Sequence, residues 1–135
     1  MNVEEKHAGR QIADCRMAQE VIHDQMVDLD HEEVWIIHLN GANKVISTEM
    51  ISRGTLSQTS VDCRTVLRAA LLRNAAAIII AHNHPSGVPL PGKADIKFTG
   101  DLRAACSLMD IKLLDHIIVA NDSFFSFAQE QTLKY

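Results

Sequence analysis

The run Ala75-Ala76-Ala77-Ile78-Ile79-Ile80-Ala81 constrains the fold of this chain more than any other feature. Seven consecutive apolar residues of this kind read as a strand covered on both faces. The run stops at His82-Asn83-His84-Pro85-Ser86-Gly87. Pro85 offers no N–H to a sheet ladder and helps to end the strand.

Residues i and i+2 of a strand point the same way. His82 and His84 therefore converge if extended backbone continues through Asn83. Asp95 follows eleven residues after His84. Two neutral nitrogens and one oxygen suit Zn²⁺, with the fourth tetrahedral position left for water. A three-ligand set is the catalytic kind of zinc site, because structural sites close all four positions. The plainer alternative is a pair of loop histidines that caps a sheet. The added Pro85 and the spacing to Asp95 make chance a poor explanation.

With 135 residues the chain makes one domain with a real core. No apolar run is long enough to span a membrane and no signal peptide opens the sequence. Met1 to Arg10 are polar and read as a frayed start. Three scattered cysteines, Cys15, Cys63 and Cys106, suit a reducing cytoplasm and argue against a disulfide framework. Cys63 and Cys106 fall in helical patterns and read as small buried hydrophobes. The net charge is −4, the 13 Lys and Arg are dispersed, and the aromatics are four Phe, one Trp and one Tyr. Neither a basic face nor a stacking platform is evident, so strong nucleic-acid binding is not expected.

Along the chain, Ile12, Cys15, Ala18, Ile22, Met26 and Leu29 predict an amphipathic helix from Gly9 to Leu29. Val34 to Leu39 reads as a strand, Asn40-Gly41 as a hairpin turn tolerant of positive φ, and Lys44 to Ser52 as the return strand. Ser60 is the expected cap of a helix from Val61 to Arg73, with Val66, Leu67, Ala70 and Leu71 as its apolar stripe. The buried strand follows, and then a loop over Val88 to Gly92. A helix is expected from Asp95 to Met109 with Ile96, Leu102, Ala105 and Met109 inward. Lys112 to Ala120 is a strand, Asn121-Asp122 a turn, and Ser123 to Phe127 a last strand. This order gives a layered α/β domain with a mixed β-sheet flanked by helices. His7, His23 and His31 read as surface residues. His38 lies mid-strand with no evident partner. Asp115-His116 reads either as a buried hydrogen-bonded pair that holds the sheet or as support beside the metal ligands.

The segment His82 to Gly87, with Pro91 and Asp95, resembles the metal-binding segment of RadC-like JAB/MPN domains of the JAMM metalloprotease superfamily. Asn74 to Ile79, Leu114 to Ile118, Gly54-Thr55-Leu56 and Ser126-Phe127 resemble the same family. The likeness covers about residues 31 to 133. It implies a cytidine-deaminase-like three-layer sandwich over 31–135, with residues 1–30 as a helix packed on the domain. Full-length relatives usually carry an upstream helix-hairpin-helix segment, so this chain resembles a stand-alone catalytic-type domain.

The resemblance implies Zn²⁺ held by His82, His84 and Asp95, and a glutamate upstream as general base. Glu32 fits that position best and Glu33 is the alternative. Strand parity separates them, since Glu32 shares a face with Val34 and Ile36, and Glu33 with Trp35 and Ile37. The family's serine three residues before the aspartate, thought to steady an oxyanion, is here Gly92. The function implied is zinc-dependent hydrolysis of a peptide or isopeptide bond in a peptide or protein substrate. The alternatives are a zinc-bearing inactive interaction module and a DNA-repair role suggested by the family's name. The return strand and the C-terminal hairpin are candidate edges for homodimer pairing or an extended peptide.

Overall fold

The apolar run forms strand β3 from Ala77 rather than Ala75, and the strand continues through His82 to Asn83 (Ala77–Asn83), buried at every position at the centre of a five-stranded sheet. The computed structural model describes residues 6–54, 61–130 and 132–135. The other strands are β1 (Val34–Leu39), β2 (Val45–Ser52), β4 (Lys112–Ala120) and β5 (Ser123–Ser126), in spatial order β2-β1-β3-β4-β5. β3 pairs antiparallel with β1 and parallel with β4. A parallel neighbour requires a crossover, and α3 (Lys93–Leu108) provides it.

Both faces of β3 need cover, and helices supply it. Trp35, Ile37, Leu39, Ile79 and Ala81 pack on one side with Ala18, Val21, Ile22 and Met26 of α1 (Cys15–Met26). Val34, Ile36, Ile78 and Ile80 pack on the other with Val66 and Ala70 of α2 (Cys63–Leu72) and Leu102 and Cys106 of α3. The split follows the alternation of strand side chains. This is the expected α/β layering of a mixed sheet between helices.

β4 departs from simple alternation. Ile78 pairs with Leu113 but Ile79 pairs with Asp115, so Leu114 is an extra residue. The bulge turns Asp115 toward the α1 side and His116 toward the α3 side. Asp115 is fully buried and accepts hydrogen bonds from the His116 and Ala128 N–H groups, the Ser126 hydroxyl and the Tyr135 hydroxyl. Burial pushes its carboxyl up, and these donors oppose the rise.

Several sequence expectations are corrected. The first helix starts at Cys15 rather than Gly9: Asp14 is extended and caps it by accepting from Met17 N–H. Gly9 and Arg10 are not frayed: Gly9 N–H donates to Val45 O and Val45 N–H to Arg10 O. The helix ends at Met26, where Val27 is already extended. In the hairpin turn the positive φ falls on Asn43, while the Asn40 side chain accepts from the Ala42 and Lys44 N–H groups. Ser60, Thr55 and Leu56 lie outside the described residues, and α2 is capped by Asp62, which accepts from Thr65 N–H. Leu71 is exposed. In α3 the buried residues are Asp95, Thr99, Leu102 and Cys106, so Ile96 and Met109 are exposed instead of inward. Cys63 is half-buried and Cys106 buried, its thiol pushed up to about 11 by burial. No helix of the described residues is long and apolar enough to cross a membrane.

His38 does have a partner. It is fully buried in β1, and its Nε2 donates to Glu49 Oε1 at 2.9 Å. Nδ1 has no partner among the described residues, so a proton there would bury an N–H with no acceptor. Burial accordingly lowers the pKa, and Glu49 only partly opposes this. The unfolded chain takes up the proton near pH ~6.5, the folded chain only at lower pH. The stability from neutral His38 is therefore complete above that value and is lost as pH falls toward the folded pKa. Urea unfolding of the wild type and of His38→Gln should give a stability gap that narrows between pH ~7.5 and ~5.5. A gap independent of pH would contradict the lowered pKa.

Candidate metal centre

Three segments meet at the C-terminal end of β3. The strand supplies His82, and His84 follows one residue past its end. The first turn of α3 supplies Asp95. Val34 of β1 pairs with His82, so Glu32, two residues earlier, reaches the same end of the sheet.

His82 Nε2 and His84 Nε2 lie 3.0 Å apart. Asp95 Oδ1 is 3.3 Å from His82 Nε2, and Oδ2 is 3.6 Å from His84 Nε2. A tetrahedral zinc with bonds of about 2.0–2.1 Å spaces its ligand atoms about 3.3 Å apart. These three side chains therefore stand at ligand spacing. The Glu32 carboxylate and the two imidazoles also have ligating atoms within 4.8 Å of one another. Asp95 fits as the third donor at 3.3 and 3.6 Å from the two Nε2 atoms, and Glu32 borders the set. The residues present fit a divalent cation.

Hydrogen bonding sets which ring nitrogen faces the centre. His84 Nδ1 donates to Val88 O at 2.9 Å, so the neutral ring presents Nε2 as a lone pair. His82 is oriented by a longer chain. Thr99 has one hydroxyl proton and gives it to Asp95 O at 2.7 Å, an atom that can only accept. Thr99 Oγ1 must then accept from His116 Nδ1. His116 is held neutral, since burial puts its pKa well below the ordinary histidine value. Its Nε2 therefore accepts from His82 Nδ1 at 2.8 Å, which leaves His82 Nε2 bare for a cation. Phe127 stacks on the His116 ring, with centroids 4.8 Å apart and planes 8° from parallel.

Charge at the centre is arranged as the donor set demands. Burial alone would raise the Asp95 carboxyl. The neighbouring His82 and His84 rings, through the protons or positive charge that their Nε2 atoms can carry, and the Gly92 N–H instead hold it well below the usual carboxylate range. The Asp95 contact raises His84 against the opposing effect of burial.

Glu33 lies elsewhere. Its Oε1 accepts from Trp35 Nε1 at 2.9 Å, and Oε2 lies 2.7 Å from His31 Nε2. That puts it on the Trp35 face and engages both oxygens. His31 is half-buried and tied to this cluster, not a free surface residue; its pKa is raised by Asp30 first and Glu33 second.

Asn83 belongs to the same site although the sequence pattern does not mark it. Its side-chain N–H donates to His31 O at 2.8 Å, and its Oδ1 accepts from Glu33 N–H at 2.7 Å. The amide thus pins the backbone on both sides of Glu32. The available signal was a polar residue inside a buried strand end, which has to find partners. Gly92 precedes α3, and its N–H donates to Asp95 Oδ2 at 2.8 Å. A Cβ there would meet only that oxygen, at an ordinary 3.8 Å. The Ser86 hydroxyl accepts from Val88 N–H within the loop.

Comparison with known proteins identifies the family of this chain. A family model described as a RadC-like JAB domain matches residues 12–133. A "UPF0758 protein" of Porphyromonas gingivalis is 44% identical over 123 residues, covering 90% of this chain and 54% of its own length. One of Leptothrix cholodnii is 43% identical over 127 residues, covering 93% and 57%. "UPF0758 protein YeeS" of Escherichia coli K12 is 41% identical over 125 residues, covering 93% and 84%. The chain spans about half the length of the first two and most of the third.

If His116 and Thr99 orient His82, substituting them should weaken metal binding with the fold intact. His116→Gln and Thr99→Val are expected to lower zinc affinity roughly 10–100-fold, measured by competition with a chromophoric chelator. Unchanged affinity in both folded variants would remove this role from the chain of hydrogen bonds.

Proposed function

The chain belongs to the RadC-like JAB domain family, and on that premise we propose that it is a zinc-dependent hydrolase of a peptide or isopeptide bond. The observation that carries this reading is the meeting of His82 Nε2, His84 Nε2 and the Asp95 carboxylate, with Glu32 at their side. Two imidazoles and one carboxylate suit zinc better than the all-oxygen preferences of magnesium or calcium.

Zinc bound there would supply Lewis acidity toward a carbonyl and acidify a water to a pKa of about 7. Glu32 takes the proton from the attacking water and returns it to the leaving amine. It is half-buried, and the Asn83 amide holds its backbone on either side. Asp95 stays ionised and balances positive charge at the centre. His82 and His84 hold their Nε2 atoms inward through fixed tautomers.

Gly92 favours a second reading, a metal-bearing module with weak or no turnover. It brings no hydroxyl to the place where the family motif has one. Loss of one oxyanion donor costs about 3 kcal/mol in other hydrolases, roughly a hundredfold in rate.

Metal analysis and peptide-library cleavage test these readings together. His82→Ala and Asp95→Ala are expected to lose stoichiometric zinc, and full zinc in either would defeat the ligand assignment. Glu32→Gln should keep zinc and lose about 10²–10⁴-fold in turnover; undiminished cleavage rejects it as the base. Gly92→Ser has room for its side chain and should raise turnover by up to roughly a hundredfold if an oxyanion donor is lacking. No cleavage by the zinc-loaded wild type or by Gly92→Ser would favour the interaction module.

A further inference from the structure

A trench runs along α3 and begins at Pro91, Ile96 and Thr99, which flank Asp95 in the chain. Its near part, about 310 Å³, is lined by Pro91, Ile96, Thr99, Phe125, Phe127 and Leu133 among others, and is almost wholly apolar. Thr99 is also the hydroxyl that holds His116, so the trench wall and the centre share a residue. Ile96 stands more than half exposed at its edge. Arg103, Thr132 and Leu133 then continue into a second cleft of about 440 Å³, where Ser107, Lys112 and Lys134 join them.

Three cations face this second cleft, and among the described residues no carboxylate side chain lines either part. Arg103 donates to Thr132 O at 3.0 Å, and none of Arg103, Lys112 and Lys134 forms an ion pair among the described residues. This concentration occurs in a chain whose net charge is −4. From Asp95 to Arg103 the helix rises about 12 Å at 1.5 Å per residue. An extended peptide covers that distance in about four residues.

We propose that this trench receives an extended peptide with an apolar side chain beside the bond presented to His82, His84 and Asp95 and acidic side chains about four residues away. The apolar residue fills the part between Ile96, Phe125 and Leu133, and the acidic side chains meet Arg103, Lys112 and Lys134. As a statement about substrate, the inference rests on the hydrolase reading. A nucleic-acid strand fits the trench less well. Phe127 is buried and already stacks on His116, and Phe125 meets Phe127 edge-on at 82°, so no pair of open rings awaits bases.

The test is a binding measurement that does not depend on turnover. The probe is a rhodamine-labelled peptide, blocked at both ends, with two leucines and three glutamates about four residues apart. Both sequence orders are made, and fluorescence anisotropy is read on the Glu32→Gln chain with and without zinc. Binding of at least one order is expected, weakened tenfold or more by Arg103→Glu or Lys134→Glu, by Ile96→Asp, and by replacing the glutamates with glutamines. Affinity that ignores all of these changes, or is absent for both orders, overturns the proposal. So does single-stranded oligothymidine that binds more tightly than the peptide with the same sensitivity to Arg103→Glu. If peptide binding behaves as expected but the zinc-loaded wild type never cuts a bond, the hydrolase reading fails and the docking trench stands. If cleavage of other peptides persists while this probe is ignored, the trench assignment alone fails.

Discussion

The structure depends on β3 being hydrogen-bonded along both edges and covered on both faces. That burial removes the usual determinant of register. Along Ala77–Ala81 both faces accept apolar residues, so the hydrophobic pattern alone would tolerate a shift by one position. His82 and Asn83 do not tolerate it. A one-residue slip would carry His82 to the α1 side, away from His116, and turn Asn83 from the backbone of residues 31 and 33. Each group would then be buried without its partner, at about 1–3 kcal/mol apiece. The polar end of the strand therefore fixes the register of its apolar body, and the residues of the candidate centre also determine how the sheet assembles.

The bulge in β4 has a comparable double effect. With one extra residue at Leu114, Asp115 and His116 are sent to opposite faces in the opposite sense from an unbroken strand. Asp115 then ties β5 and the C-terminal residues through Ser126, Ala128 and Tyr135. His116 reaches His82 on the other face. The two readings open for this pair from sequence thus divide between its members, the first holding the sheet and the second supporting a histidine of the centre.

What the sequence made legible follows from what periodicity measures. The expected bounds of β1 and β4 match the structure, and β3 is recognisable, because short, strongly apolar stretches between polar turns leave few other structures. Strand parity also puts Glu32 and Glu33 on opposite faces without coordinates. α3 was legible as a helix but not in its facing. Its buried side carries Asp95 and Thr99 near the centre and Leu102 and Cys106 further along. A rule that turns apolar residues inward chose Ile96 and Met109, both of which are exposed. The trench beside α3 depends on that inversion, since Ile96 is free to form its edge. The cap of α2, the bulge at Leu114 and the amide of Asn83 were invisible for another reason. Each is defined by a partner distant in sequence or by a single hydrogen bond, and neither leaves a repeat to count.

Electrostatics explains why this arrangement suits a cation. Two imidazole lone pairs 3.0 Å apart beside an ionised carboxylate repel unless positive charge stands among them. A proton meets part of that demand, which is why Asp95 raises His84 and is itself held low. A proton on Nε2 can lie along only one nitrogen–nitrogen or nitrogen–oxygen line at a time. A divalent ion satisfies the three donors together at bond lengths their spacing already matches. The surrounding network is consistent with that occupant. Val88 O and His116 take the Nδ1 protons and leave Nε2 free on both rings. A site selected only for a buried histidine–aspartate hydrogen bond would have no need for the second fixed tautomer.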